Sequence, residues 1–263
     1  MSISFSKWHA NGNDFLIAEL LSKDFSLTKK QISQIADRNK GIGFDQLILI
    51  LPPRRPKSDF AFKFFNSDGT QAGNCLNGSR CAIAFIHKIG LSKKDKITVD
   101  IKNRSNIFTI SNRLVATESL LPVSLKKPAF IDRHLALFKL NYLGFVDIGN
   151  KHLIALSKEH PNSIDLPILD KKIRGLKDCR EANISVIQKK KDRILIRTSE
   201  NGVGETLSCG SAAASVAGLV DENTLVIFSP GGTLKTSRTK RDTIILQGPT
   251  EHIMECIWEA KKK

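Results

Sequence analysis

Short apolar runs alternate along this chain with polar, glycine-bearing loops, and they do so twice in the same order. In the first half, FDQLILIL (44–51) and FAFKFF (60–65) read as strands framing the turn-forming segment PPRRPKSD. A polar loop, NSDGTQAGN (66–74), follows, and Cys75 then opens LNGSRCAIAFIHKIG. Ile83, Phe85, Ile86 and Ile89 fall near helical spacing there, with Gly90 where a helix C-terminus favours glycine. In the second half, ANISVIQ (182–188) and RILIRTS (193–199) read as a hairpin around KKKD. The polar loop ENGVGETLS (200–208) leads into Cys209 and the helix GSAAASVAGLV. The tail (TLVIF, PGG, TLKTS, TIILQG, HIMECIW) alternates as β-structure, and its last strand is expected to return to the first half.

Each half therefore reads strand, strand, polar loop, cysteine, small residues, buried helix, with the two cysteines 134 positions apart in a chain of 263. The pattern predicts an α+β protein of two pseudosymmetric lobes facing one another. The expected division is 1–118, completed by the C-terminal strand 252–263, and 119–251. The longest apolar runs, such as LILIL (47–51), are strand-length and far short of a membrane span. The opening MSISFSKWHANGNDF has no apolar signal core, which points to a cytoplasmic, non-membrane protein.

Charge changes the picture little. The net charge of +15 invites nucleic acid as a partner, but the lysines are dispersed. Lys29–Lys30, Lys93–Lys94, Lys126–Lys127, Lys189–Lys191 and Lys261–Lys263 fall mostly at element ends and turns. The phenylalanines sit mostly inside apolar strand-like runs and give no stacking pattern interleaved with the basic residues. A lysine-rich surface without a nucleic-acid partner is the expectation. The five cysteines, 75, 81, 179, 209 and 256, form no CxxC pair and no zinc-spaced Cys/His cluster.

A thiol at a helix start meets unpaired N–H groups carrying partial positive charge, which stabilise its thiolate. Cys81, Cys179 and Cys256 read as small core hydrophobes; Cys75 and Cys209 share the loop-to-helix context. Two thiols facing across a cleft suit inversion at a carbon next to a carboxylate. One removes the α-proton while the other donates a proton on the opposite face. Backbone N–H groups at the helix starts cradle the carboxylate of the carbanion, and Gly210, Ser211 and Ala212 are small enough to let that backbone come close.

Longer motifs carry a resemblance. HANGNDF (9–15), ADRNKGIGFDQ (36–46), FNSDGTQAGNCLNGSRC (65–81), GNKH (149–152), EANISVIQ (181–188), ENGVGETLSCGSAA (200–213), PGG (230–232) and QGPTEHIME (247–255) follow one another in order. Together they resemble the diaminopimelate epimerase family of pyridoxal-phosphate-independent epimerases and racemases along nearly the whole chain. The resemblance implies Cys75 and Cys209 as the acid/base thiols. It also implies a substrate-binding set of Asn13, Asn66, Leu76, Asn77, Asn150, Asn183, Glu200, Asn201, Gly210 and Ser211, with Gln46 and His152 supporting. It implies an α+β fold of two pseudosymmetric lobes, each a curved, mostly antiparallel sheet around a central helix, with the active site in the cleft between them. It further implies a small amino-acid substrate, no cofactor or metal, a homodimer, and a place in lysine and peptidoglycan biosynthesis. Taken singly, each asparagine reads as a turn residue; their joint placement in family order is what points to substrate binding.

Four positions depart from the family pattern. Asn201 stands where the family has an arginine that grips the distal carboxylate, and a neutral amide cannot form that bidentate charged pair. Leu76 and Ala212 replace glycines, and Lys151 replaces a proline. Diaminopimelate is the expected substrate, with Lys151 a candidate replacement for the lost charge. The alternatives are a paralogue that racemises another amino acid, an inactive homologue and a basic nucleic-acid-binding protein. A phenazine-type isomerase, which uses a carboxylate instead of a thiol pair, fits less well because cysteine stands at both positions.

Overall fold

The computed structural model describes residues 2–22, 26–102, 104–111 and 114–259; the lysine run 261–263 lies outside them. The chain divides into two units, residues 1–117 with 249–263, and 118–248.

In the first unit the strands are β1 (Ser2–Ala10), β2 (Asn13–Glu19), β3 (Gln46–Leu51), β4 (Phe60–Asn66), β5 (Lys96–Ile101), β6 (Arg104–Ser111) and β7 (Leu114–Leu120). The last of these carries the chain past the unit boundary. Helix α1 (Lys29–Ala36) links β2 to β3 as a parallel pair, and α2 (Leu76–Lys88) does the same for β4 and β5. The other neighbours, β1/β2, β3/β4, β5/β6 and β6/β7, are antiparallel. The C-terminal strand Glu251–Glu259 returns to pair antiparallel with β1, from Ser2 opposite Glu259 to His9 opposite Glu251.

Alternation along the strands assigns the two faces of this sheet. Phe15 and Ile17 of β2 and Ile48 and Ile50 of β3 share a core with Ile83 and Ile86 of α2. Their neighbours Leu16, Ala18, Leu47 and Leu49 share another with Ile32 and Ile35 of α1. The sheet is thus covered on both faces. The second helix is the part the apolar pattern did not announce, because α1 is a short segment whose main local signal is its capping box. Gln31 N–H donates to Thr28 Oγ1 at 3.3 Å and Thr28 N–H to Gln31 Oε1 at 2.9 Å. Helix α2 ends as expected: Gly90, at φ +74°, donates its N–H to His87 O, and Leu91 N–H reaches Ile86 O.

The second unit repeats this order. After the two-residue β8 (Val123–Ser124) and α3 (Ile131–Ala136) come β9 (Leu140–Asp147), β10 (Lys151–Ser157), α4 (Leu166–Arg174), β11 (Asn183–Lys189) and β12 (Ile194–Glu200). They are followed by β13 (Gly204–Thr206), α5 (Gly210–Leu219), β14 (Thr224–Ser229), β15 (Gly232–Arg238) and β16 (Thr243–Gly248). Helix α4 makes β10 and β11 parallel and α5 makes β12 and β14 parallel; β9/β10, β11/β12, β14/β15 and β15/β16 are antiparallel. Leu153, Ala155, Ile184 and Val186 face a core built with α3 and α4. Helix α5 lies on the opposite face, with Ala212, Ala213, Ala214 and Val216 fully buried. The expected hairpin around KKKD is present, with Lys190 N–H bonded to Arg193 O at 2.8 Å. The fold is α+β, and each unit is a mostly antiparallel sheet with a buried helix packed on it.

Candidate active site

Cys75 is the N-cap residue of α2, in extended backbone, and its Sγ accepts from Gly78 N–H at 3.4 Å. Cys209 holds the same place before α5, buried at 8% exposure, with Sγ 3.3 Å from Ser211 Oγ. The first turn of each helix contains a buried glycine, Gly78 in α2 and Gly210 in α5. A Cβ on Gly78 would stand 2.8 Å from Ile48 Cδ1 and 2.9 Å from Phe15 Cε1, so α2 approaches the sheet as closely as glycine permits. Leu76, half-buried, is the first residue of α2, and Gly210, buried, is the first of α5.

In the first unit the candidate residues form two hydrogen-bonded groups. In one, Asn13 Oδ1 lies 3.5 Å from Asn77 Nδ2. In the other, Gln46 Nε2 donates to Asn66 Oδ1 at 3.1 Å and Asn66 Nδ2 to Thr70 Oγ1 at 3.2 Å, the pair facing each other across β3 and β4. No direct bond joins Asn66 to Asn13 among the described residues.

Two residues outside the expected set anchor the first group. Asp45 accepts from Asn13 Nδ2 at 2.7 Å, and Arg80, fully buried, donates to Asn77 Oδ1 at 2.7 Å and to Pro249 O at 3.3 Å. Burial pushes the Arg80 guanidinium down to about 10, which still leaves it a cation at neutral pH. Its sequence signal was an arginine in the middle of an otherwise uncharged stretch, LNGSRCAIAF (76–85), a position that demands a partner. Asp45 is itself gripped by Arg38, whose Nη2 stands 2.9 Å from Asp45 Oδ1 and whose two Nη atoms also pair with Asp14. Burial works to raise the Asp14 pKa, but hydrogen bonds from Arg38 and Lys7 outweigh it and hold the carboxyl below its usual value.

Around Cys209 the candidates converge on one hydroxyl. Ser211 Oγ is 3.0 Å from His152 Nε2 and accepts from Asn150 Nδ2 at 3.4 Å. Asn183 Nδ2 lies 3.2 Å from the same His152 Nε2, while Asn183 Oδ1 accepts from Asn201 N–H at 2.9 Å. That backbone donor fixes the Asn183 amide, so its NH2 faces the imidazole. Nε2 is therefore the unprotonated nitrogen and the proton sits on Nδ1. Nδ1 is buried without a hydrogen-bond partner among the described residues, and burial pushes the His152 pKa down to about 3. His152 is neutral at any ordinary pH. The Ser211 hydroxyl can donate to His152 while accepting from the Cys209 S–H, or turn and donate to a Cys209 thiolate. One side chain thus serves both protonation states of the sulfur.

Farther along this network Asn201 Oδ1 accepts from Arg174 Nη1 at 2.9 Å, and Arg174 Nε is held by both oxygens of Asp170. Glu200 Oε1 accepts from Thr206 Oγ1 at 2.6 Å. Lys151 begins β10, and its charge acts on Cys179, whose thiol burial nonetheless pushes up to about 11. The thiol of Cys81 is likewise driven upward by complete burial, which removes it from acid/base work at neutral pH.

The family model described as Diaminopimelate epimerase matches residues 5–113. A diaminopimelate epimerase of Coxiella burnetii (strain Dugway 5J108-111) is 34% identical over 272 residues, covering 95% of this chain and 93% of that protein. One from Acinetobacter baumannii (strain AYE) is 30% identical over 277 residues, covering 97% and 96%. Among solved structures, a PhzF-family phenazine biosynthesis protein of Bacillus anthracis superposes with TM-score 0.74 at 17% identity, covering 99% of this chain and 100% of that one. A hydroxyproline epimerase of Agrobacterium vitis does so with TM-score 0.68 at 11% identity, covering 98% and 91%. The two solved structures share the fold. The near-full-length relatives define an amino-acid epimerase, an isomerase. The chain belongs to the diaminopimelate epimerase family.

Proposed function

We propose that this protein is a cofactor-independent diaminopimelate epimerase. It interconverts the LL and meso forms, in the route to lysine and peptidoglycan, with Cys75 and Cys209 acting on opposite faces of one α-carbon. One thiolate takes the α-proton, the electron pair stays on the carbon as a carboxylate-stabilised carbanion, and the opposing thiol returns a proton on the other face. The two sulfurs exchange protonation states and nothing else changes. The observation that carries this reading is the repeat: the same strand and helix order, twice, each time with a cysteine capping a buried helix beside amide side chains. The enzyme works as a soluble cytoplasmic homodimer on a small amino acid, without a nucleic-acid partner.

Asn201 favours a second reading, a racemase of an amino acid with a single carboxylate, because no charged side chain stands at that position. Against it, Arg174 keeps a guanidinium in contact with Asn201. The deciding experiment is α-proton exchange in D2O, followed by NMR, on LL-diaminopimelate and on a panel of single-carboxylate amino acids. Exchange with inversion on diaminopimelate is expected, and exchange confined to another amino acid selects the racemase. Cys75→Ala and Cys209→Ala should each abolish exchange while Cys179→Ala retains it; a fully active Cys209→Ala enzyme would sink the two-thiol mechanism.

A further inference from the structure

Four side chains of the first unit form a hydrogen-bonded chain that runs in one direction. Arg80 Nη2 donates to Asn77 Oδ1 at 2.7 Å, Asn77 Nδ2 to Asn13 Oδ1 at 3.5 Å, and Asn13 Nδ2 to Asp45 Oδ2 at 2.7 Å. A primary amide can turn over and exchange its donor and acceptor ends at little steric cost, so its orientation is set by its partners. Here the two ends of the chain leave no choice. A guanidinium only donates, so Asn77 must offer it an oxygen; an ionised carboxylate only accepts, so Asn13 must offer it N–H. The middle bond then follows.

Both ends are themselves held. Arg80 is fully buried and donates to Pro249 O, in the segment just before the returning C-terminal strand. Asp45 Oδ1 is taken by Arg38 and Oδ2 also accepts Asp14 N–H at 3.1 Å. Arg38 is tied in turn to both oxygens of Asp14, which Lys7 pairs with at 3.1 Å.

We infer that Arg80 and Asp45 are positioning residues that lock Asn13 with its second Nδ2–H as a fixed donor for an anionic group, a carboxylate, of the substrate. That second N–H has no partner among the described residues, and Asn13 is only half-buried. The identity of the anion rests on the epimerase reading above; the locked amide does not. A donor already aimed and unable to flip costs a carboxylate no reorganisation on binding.

Asp45→Asn is the first test, since it is nearly isosteric and removes the end of the chain that can only accept, leaving the 3.5 Å bond from Asn77 to orient Asn13. Loss of one fixed hydrogen bond to a charged group predicts a rise in KM of about tenfold or more, with kcat changed by less than about threefold. Arg80→Met should raise KM similarly, and Arg80→Lys, which keeps a donor, should recover part of it. Thermal melts report whether each variant folds. The second readout needs no turnover: the side-chain 1H–15N signals of Asn13, with one proton bonded to a carboxylate, should move in Asp45→Asn. An unmoved Asn13 signal in folded Asp45→Asn, or an unchanged KM, overturns the inference. If the wild type exchanges no amino-acid α-proton, the epimerase reading fails. The amide signals then still decide the locked orientation.

Discussion

Ser211 shows how much one hydroxyl can decide at the residue scale. It touches Cys209 Sγ, His152 Nε2 and Asn150 Nδ2 together, and only a rotatable O–H can serve the sulfur in both of its protonation states. Ser211→Ala should lower kcat for α-proton exchange by about tenfold, the loss expected for a hydrogen bond to a charged group, with a smaller change in KM. Single-turnover exchange kinetics in D2O would check this. His152 makes a separate prediction about pH. Its folded pKa of about 3 lies below the unfolded value of about 6.5, so between these values the unfolded chain holds the extra proton. Stability is therefore greatest above about pH 6.5 and falls as the pH drops, by up to roughly 1.4 kcal/mol per unit. Urea unfolding at pH 7 and pH 5 should show a steeper loss for wild type than for His152→Gln.

The helix starts set the geometry at the element scale. Helix α2 lies so close to β2 and β3 that Gly78 has no room for a methyl group, and Gly78 N–H is also the donor to Cys75 Sγ. Gly78→Ala must push the buried ring of Phe15 or the end of Ile48 aside, or lift the helix start. Overpacking of this kind costs roughly 1–3 kcal/mol. A shift of the first turn moves Cys75 with it, so exchange activity should fall further than the loss of stability alone explains. The two effects separate in a comparison of Tm with kcat for the folded variant. Helix α5 reaches the same result with a run of alanines, all buried, in place of one critical glycine.

Each unit has its own core at the scale of the whole molecule, and the first depends on a strand from the far end of the chain. Cys256 and Trp258 pack beside Ile3 and Phe5, and β1 is paired with Glu251–Glu259 over most of its length. Removal of 251–263 should therefore turn β1 into an exposed edge and strip hydrogen-exchange protection from β1 while β10–β12 keep theirs, which exchange mass spectrometry would show. The cysteine-capped helices and the KKKD hairpin were legible in the sequence because their signals are local: apolar spacing, a polar entry loop, a glycine at the C-terminus, a charged turn. The helices α1 and α4 and the parallel pairs they create were not legible. A short amphipathic segment does not say which strands it will bridge. Nor was the pairing of Asp45 with Asn13, 32 residues apart, or of Arg80 with Pro249. The sequence by itself determined the repeated order of elements, the place of both cysteines and the family, all written in neighbouring residues. Only the tertiary structure decided which way each asparagine amide points and that His152 stays neutral. Those properties depend on partners and burial supplied by strands and helices distant in the chain.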